Sequence, residues 1–191
     1  MLVYSSKEVN RLHHLPIDRS IFFLPSELLV SSIASKFPCR HEIIRSLVTL
    51  LSINANKNIV LYGLNATGKS LITKTVLERL SINEGGIRGA PKLHHTIIKT
   101  AECITSRHLM EKIVKAVADA LGYRASNRCE NASQLVNELE KMFHWSQCQN
   151  PEVAHRLVLV FDGIDQQVVH SQTLPALAKL GELVCICAPY L

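Results

Sequence analysis

The chain lacks several signals that would settle its class at once. Aromatic residues make up only 5% of it, so whatever core it forms has to be aliphatic. Its six cysteines, Cys39, Cys103, Cys129, Cys148, Cys185 and Cys187, contain no C-x-x-C pair, which excludes zinc-ribbon spacing and leaves reduced, buried thiols of an intracellular protein as the expectation. Nine histidines are present, yet His13-His14 and His94-His95 are adjacent pairs and no H-x-x-x-H places two on one helix face, so no structural metal is expected. No run approaches the ~20 apolar residues of a membrane span, and no membrane partner is expected. The first twenty residues carry Lys7, Glu8, Arg11, Asp18 and Arg19, which does not read as a secretory leader.

What is present is a globular composition, 47% hydrophobic and 19% charged over 191 residues, enough for one domain with a sizeable core. The net charge of +5 is a modest basic bias, compatible with a polyanion nearby.

Residues 1–36 show no sustained periodicity and read as an N-terminal extension. From there the chain alternates. A helix is expected over Arg40–Leu51, with Ile43, Ile44, Leu47, Val48 and Leu51 at helical spacing, then a buried strand over Asn58–Gly63. A helix over Lys69–Leu80 carries Ile72, Val76 and Leu80 at i, i+4, i+8. The glycines and proline of Asn83–Pro91 mark a loop, followed by a strand over His95–Lys99 and a helix over Arg107–Leu121. After a polar connection at 122–131 come a helix over Ser133–His144, the strand Arg156–Phe161, a helix over Pro175–Glu182 and a fourth strand over Leu183–Cys187. Strands alternating with helices imply an α/β fold with a parallel sheet covered on both faces.

Gly63-Leu64-Asn65-Ala66-Thr67-Gly68-Lys69-Ser70 is a complete G-x-x-x-x-G-K-[ST] loop between a strand and a helix. Such a loop curls so that successive N–H groups point at phosphate oxygens, and the following helix adds its N-terminal dipole. The reading is an ATP cradle formed by Gly63 through Leu71: Lys69 reaches the β- and γ-phosphates and Ser70 ligates magnesium. Asp162, directly after the most apolar strand, is the expected second magnesium-side residue, acting through water. Many ATPases of this kind place a glutamate next to that acid to polarise water. Here the position is Gly163, and Asp165 is the only other acid nearby, a weak candidate for catalysis. The residues therefore favour binding over hydrolysis.

Together with the loop, Phe37-Pro38-Cys39-Arg40 and Asp162-Gly163-Ile164-Asp165 resemble the initiator branch of AAA+ P-loop NTPases, which includes the origin recognition complex and related helicase loaders. Thr100–Arg107 and the Leu-Pro-Ala-Leu-Ala-Lys-Leu-Gly-Glu-Leu run at 174–183 are similar to the fifth-subunit family of that complex. The resemblance covers roughly residues 37–187. It implies a partial AAA+ domain over 37–191, with helical lid and winged-helix domain absent, acting in DNA replication initiation in the nucleus. It also implies ATP and Mg2+ as architectural cofactors, with other origin-complex subunits and double-stranded DNA as partners. Pro38 and Arg40 match the segment beside the adenine and ribose in that branch, and Cys39 stands where relatives often have glycine.

Overall fold

The computed structural model describes residues 2–5, 27–52, 58–84, 92–124, 128–149, 151, 155–164 and 173–183. The elements in chain order are β1 (Leu2–Ser5), α1 (Glu27–Ala34), α2 (His41–Ser52), β2 (Ile59–Val60), α3 (Lys69–Glu84), β3 (Lys92–Lys99), α4 (Ser106–Leu121), α5 (Ala132–Gln149), β4 (His155–Asp162) and α6 (Thr173–Leu183). A short 3₁₀ turn, Thr100–Glu102, follows β3.

β4 organises the molecule. Because successive side chains of a strand face opposite sides, Leu157, Leu159 and Phe161 enter one core, and Val158 and Val160 enter another. The first core joins β4 to α4, α5 and α6 through Leu109, Ile113, Leu135, Leu139 and Leu177, and the second joins it to α1, α2 and α3 through Ile33, Ile44, Leu47, Val76 and Leu77. β4 is buried from His155 to Phe161, which is why Leu157–Phe161 is continuously apolar rather than alternating. The expected α/β sandwich with helices on both faces is what forms. No helix among the described residues is long and apolar enough to cross a membrane.

The sheet departs from expectation in one respect: its order is β2-β1-β4-β3, and it is mixed rather than wholly parallel. β3 and β4 pair in parallel, Lys92 opposite His155 through Lys99 opposite Asp162. Leu2–Ser5 lies between β2 and β4, antiparallel to both, with Leu2 opposite Val60 and Phe161, and Val3 opposite Ile59 and Val160. Four residues are too few to show a periodicity, so residues 1–36 gave no strand or helix signal. They nevertheless supply β1 and α1, whose Val30 and Ile33 are fully buried.

Other boundaries shift for local reasons. β2 is two residues long, Ile59–Val60, each paired with a residue of β1. β3 begins at Lys92 rather than His95, since β4 pairs with all eight of its residues. α5 runs on to Gln149, with Ser146 buried in its extension. α4 starts where Thr105 accepts the amide of His108 at 3.2 Å and ends at Gly122, φ +73°, where Tyr123 N donates to Ala118 O at 2.8 Å. Of the thiols, Cys103 and Cys129 are buried as expected, whereas Cys39 and Cys148 are exposed. The loop expected over Asn83–Pro91 starts inside α3, which continues to Glu84, and its remainder lies outside the described residues, as do the strand expected over 184–187, Cys185 and Cys187, and Asp165. Leu183 ends α6.

Cys39, in the turn between α1 and α2, has φ +59°. A side chain in that left-handed region costs about 1 kcal/mol or more, a cost glycine does not bear. Cys39→Gly is expected to raise stability by up to about 1 kcal/mol, less the extra freedom glycine gives the unfolded chain; the shift of a urea unfolding midpoint measures it.

Candidate functional site

β2 and β4 run in the same direction, since each is antiparallel to β1. The loop after β2 and the acid at the end of β4 therefore emerge on one edge of the sheet, at the carboxyl ends of its parallel strands, where open α/β sheets place ligands.

The backbone of the loop is curled throughout. Gly63, Ala66 and Gly68 have φ of +146°, +61° and +83°. Gly68 must turn the chain directly into α3, and Ile72 N already donates to its carbonyl at 2.9 Å as the first helical bond; a side chain there would be strained by the positive φ. Thr67 Oγ1 donates to Leu64 O at 2.8 Å and closes the loop on itself. Gly63 through Ala66 are exposed, and Thr67, Gly68 and Lys69 are half-buried. The ammonium of Lys69 folds back over the loop, donating to Gly63 O at 2.9 Å and Leu64 O at 2.7 Å. A lysine without an anionic partner satisfies its donors this way, and a phosphate at the loop would compete for the same three hydrogens.

α3 starts at Lys69 with its free N–H groups directed at the loop. Its inner face carries Ile72, Thr73, Val76, Leu77 and Leu80 into the core, which anchors it. Ser70, at its second position, donates its hydroxyl to Asp162 Oδ1 at 2.8 Å. The two residues expected on the magnesium side are thus brought together from positions 92 apart in sequence. Both donate oxygen, the ligand type a hard cation such as Mg2+ takes.

The Asp162 main chain is held from behind. Thr100, fully buried, donates its hydroxyl to Asp162 O at 2.7 Å. Gly163 then turns away with φ +72°, so the position where many such sites carry a glutamate is a left-handed turn. Leu71 is exposed on α3. Pro38 is exposed and Arg40 half-buried in the α1–α2 turn, where Arg40 O accepts the amide of Ile44 at 3.0 Å. Among the described residues no hydrogen bond joins Pro38 or Arg40 to the loop.

Thr100 was not legible as a site residue, because a threonine after a strand is unremarkable until its partner is known. The turn it opens carries Glu102, paired to Lys112, and Ile104, two residues past the turn, is 92% exposed.

Far from this edge, at the start of β3 and β4, two histidines stack with ring centroids 5.2 Å apart. His94 Nδ1 lies 3.0 Å from Ala120 O, which can only accept, so Nδ1 carries the proton. In the neutral ring Nε2 is then an acceptor, and His155 Nδ1–H donates to it across 3.0 Å. His155 Nε2 remains as a bare acceptor, buried without a partner.

The AAA ATPase domain family matches residues 36–188. No curated protein and no solved structure matches the chain.

Proposed function

Since the chain belongs to the AAA ATPase family, we propose that its loop binds ATP with magnesium, and that the bound nucleotide serves to hold parts together rather than to be consumed. The observation that carries this is the Ser70–Asp162 hydrogen bond at 2.8 Å, set beside a loop whose lysine is hydrogen-bonded to the carbonyls of Gly63 and Leu64. Gly63–Leu71 would enclose the phosphates, with Lys69 balancing their charge. Ser70 and Asp162 would hold Mg2+, Asp162 through water, and the ion would supply charge neutralisation on the β- and γ-phosphates. Pro38 and Arg40 are proposed to flank the base and ribose.

The architectural role follows from what stands beside Asp162. Gly163 offers no side chain to orient water, so phosphate would be bound without a residue there to activate an attacking group. The Glu102-Cys103 segment and the Asp-Gly-Ile-Asp run support a finer reading: a subunit of a nuclear origin recognition complex, acting with other subunits on double-stranded DNA in replication initiation. Reconstitution with the remaining subunits, with and without ATP, tests it. ATP-dependent incorporation supports the reading, and absence from the assembled complex refutes it.

For the site itself, Lys69→Ala is expected to lower ATP affinity tenfold or more by titration calorimetry, because a charged hydrogen-bond donor is lost from a phosphate. Unchanged affinity would rule out the loop as the cradle. Single-turnover measurement on labelled ATP is expected to show little product, and turnover abolished by Asp165→Ala would instead make this an active ATPase.

A further inference from the structure

We propose that Thr100 is a positioning residue for the nucleotide site, holding the main chain of Asp162 so that its carboxylate stays within reach of Ser70. The claim rests on the ATP and magnesium reading above and extends it to a residue outside both motifs.

The ladder between β3 and β4 ends with Lys99 opposite Asp162, and the pairing of β4 with β1 ends one residue earlier, at Phe161. Asp162 is the last residue of β4, and the residue after it is a glycine with φ +72°. Nothing in such a turn by itself restrains the preceding carboxylate. Thr100 lies one residue past the end of the ladder and continues the restraint with a side chain: its hydroxyl donates to Asp162 O at 2.7 Å. Thr100 is itself immobilised. It is 0% exposed, and its carbonyl accepts Cys103 N at 2.9 Å, closing the 3₁₀ turn. The path of bonds runs from that turn through the Thr100 hydroxyl to the Asp162 carbonyl, and from the Asp162 carboxylate to the Ser70 hydroxyl on α3. Three separate segments of chain meet at one residue, Asp162, and Thr100 is the member placed to touch neither phosphate nor cation.

A purely structural role, satisfaction of a buried hydroxyl, would use the same bond. The two roles separate in what the cation contributes. Thr100→Val keeps shape and removes the donor; Thr100→Ser keeps the donor. With the fluorescent probe N-methylanthraniloyl-ATP, Thr100→Val is expected to lower affinity about tenfold in Mg2+ and less than twofold in EDTA, and Thr100→Ser to stay close to the parent in both. Equal loss in Mg2+ and EDTA, or no loss in a variant of unchanged melting temperature, overturns the proposal. Lys69→Ala, read in the same assay, reports on the cradle independently, so a failed cradle is recognised as such. Without nucleotide, Thr100→Val is expected to speed amide hydrogen exchange about tenfold at Ile72 and the helical amides that follow it, the first that are hydrogen-bonded, because the Ser70–Asp162 bond that ties α3 to β4 loses its support. Parent-like exchange there refutes the positioning role whatever the nucleotide result.

Discussion

Val3→Pro is expected to cost about 3 kcal/mol or more of stability and to abolish nucleotide binding together with the fold's cooperativity. Val3 sits in the interior of the sheet, opposite Ile59 on one side and Val160 on the other. Proline has no N–H to give to either ladder, and its ring crowds the neighbouring strand. The damage would not stay local. β1 is the only element that joins β2 to β4 in the described sheet, and those two strands carry the phosphate loop and Asp162. Strands lie about 4.8 Å apart, so loss of the middle one leaves loop and acid across a gap about two spacings wide. Val3→Thr keeps the N–H and is expected to stay within about 1 kcal/mol of the parent. Urea midpoints for the pair, read beside ATP titrations, check both parts. A proline variant as stable as the parent would show that Leu2–Ser5 does not hold the sheet.

Acidification is expected to destabilise the protein from about pH 6.5 downward, well before carboxylates titrate. Burial is the main cause lowering the pKa of His94, His95 and His155 from 6.5, with Lys92 opposing charge on His94 and His155 and Glu78 partly offsetting the effect on His95. Above pH 6.5 these rings are neutral in both states and cost nothing. Below it the unfolded chain takes protons that the folded rings refuse, so stability falls until each depressed folded pKa is reached. The pair His94–His155 makes the refusal concrete. Protonating His94 Nε2 would remove the acceptor for His155 Nδ1–H, and protonating His155 Nε2 would place a charge on a buried nitrogen without a partner. His155, which is 8% exposed, contributes in the same direction as His94, because burial lowers its pKa. Glu102 and Glu111 do not interfere, since Lys112 and Arg107 hold their carboxyls below the usual range and keep them ionised through this window. Replacing both rings, His94→Leu with His155→Leu, removes the donor and the acceptor of the bond between them together, leaves Ala120 O without the His94 proton, and is expected to flatten stability between pH 7 and 5.5. An equally steep profile in the double variant would place the titrating groups elsewhere.

Much of the site was readable because its chemistry is local. A glycine-lysine-serine loop between an apolar strand and an amphipathic helix requires only residues 58–80 to be recognised, and Asp162 is marked by the apolar run before it. The helix positions followed from spacing, as with Ile113, Val117 and Leu121 of α4, all buried. What could not be read were pairings across the sequence. Leu-Val-Tyr-Ser carries no pattern long enough to announce a strand; its place is decided by the two strands that accept it. Thr100 acquires its part only when β3 and β4 are laid in register. The left-handed turns at Cys39 and Gly163 depend on where the chain must go next, which composition does not record.

The strand β1 also sets the order in which the molecule can assemble. Leu2 pairs with Phe161, so its ladder closes a loop of roughly 160 residues, and the entropy of that closure has to be met before any of its bonds form. The helical pairs α1–α2 and α4–α5 close over short connections and can form early. The seam of the sheet comes late, and the meeting of Ser70 with Asp162 comes with it. A nucleotide that needs both residues would then select the finished sheet over every partly assembled state, and its binding would slow global unfolding rather than quiet one loop.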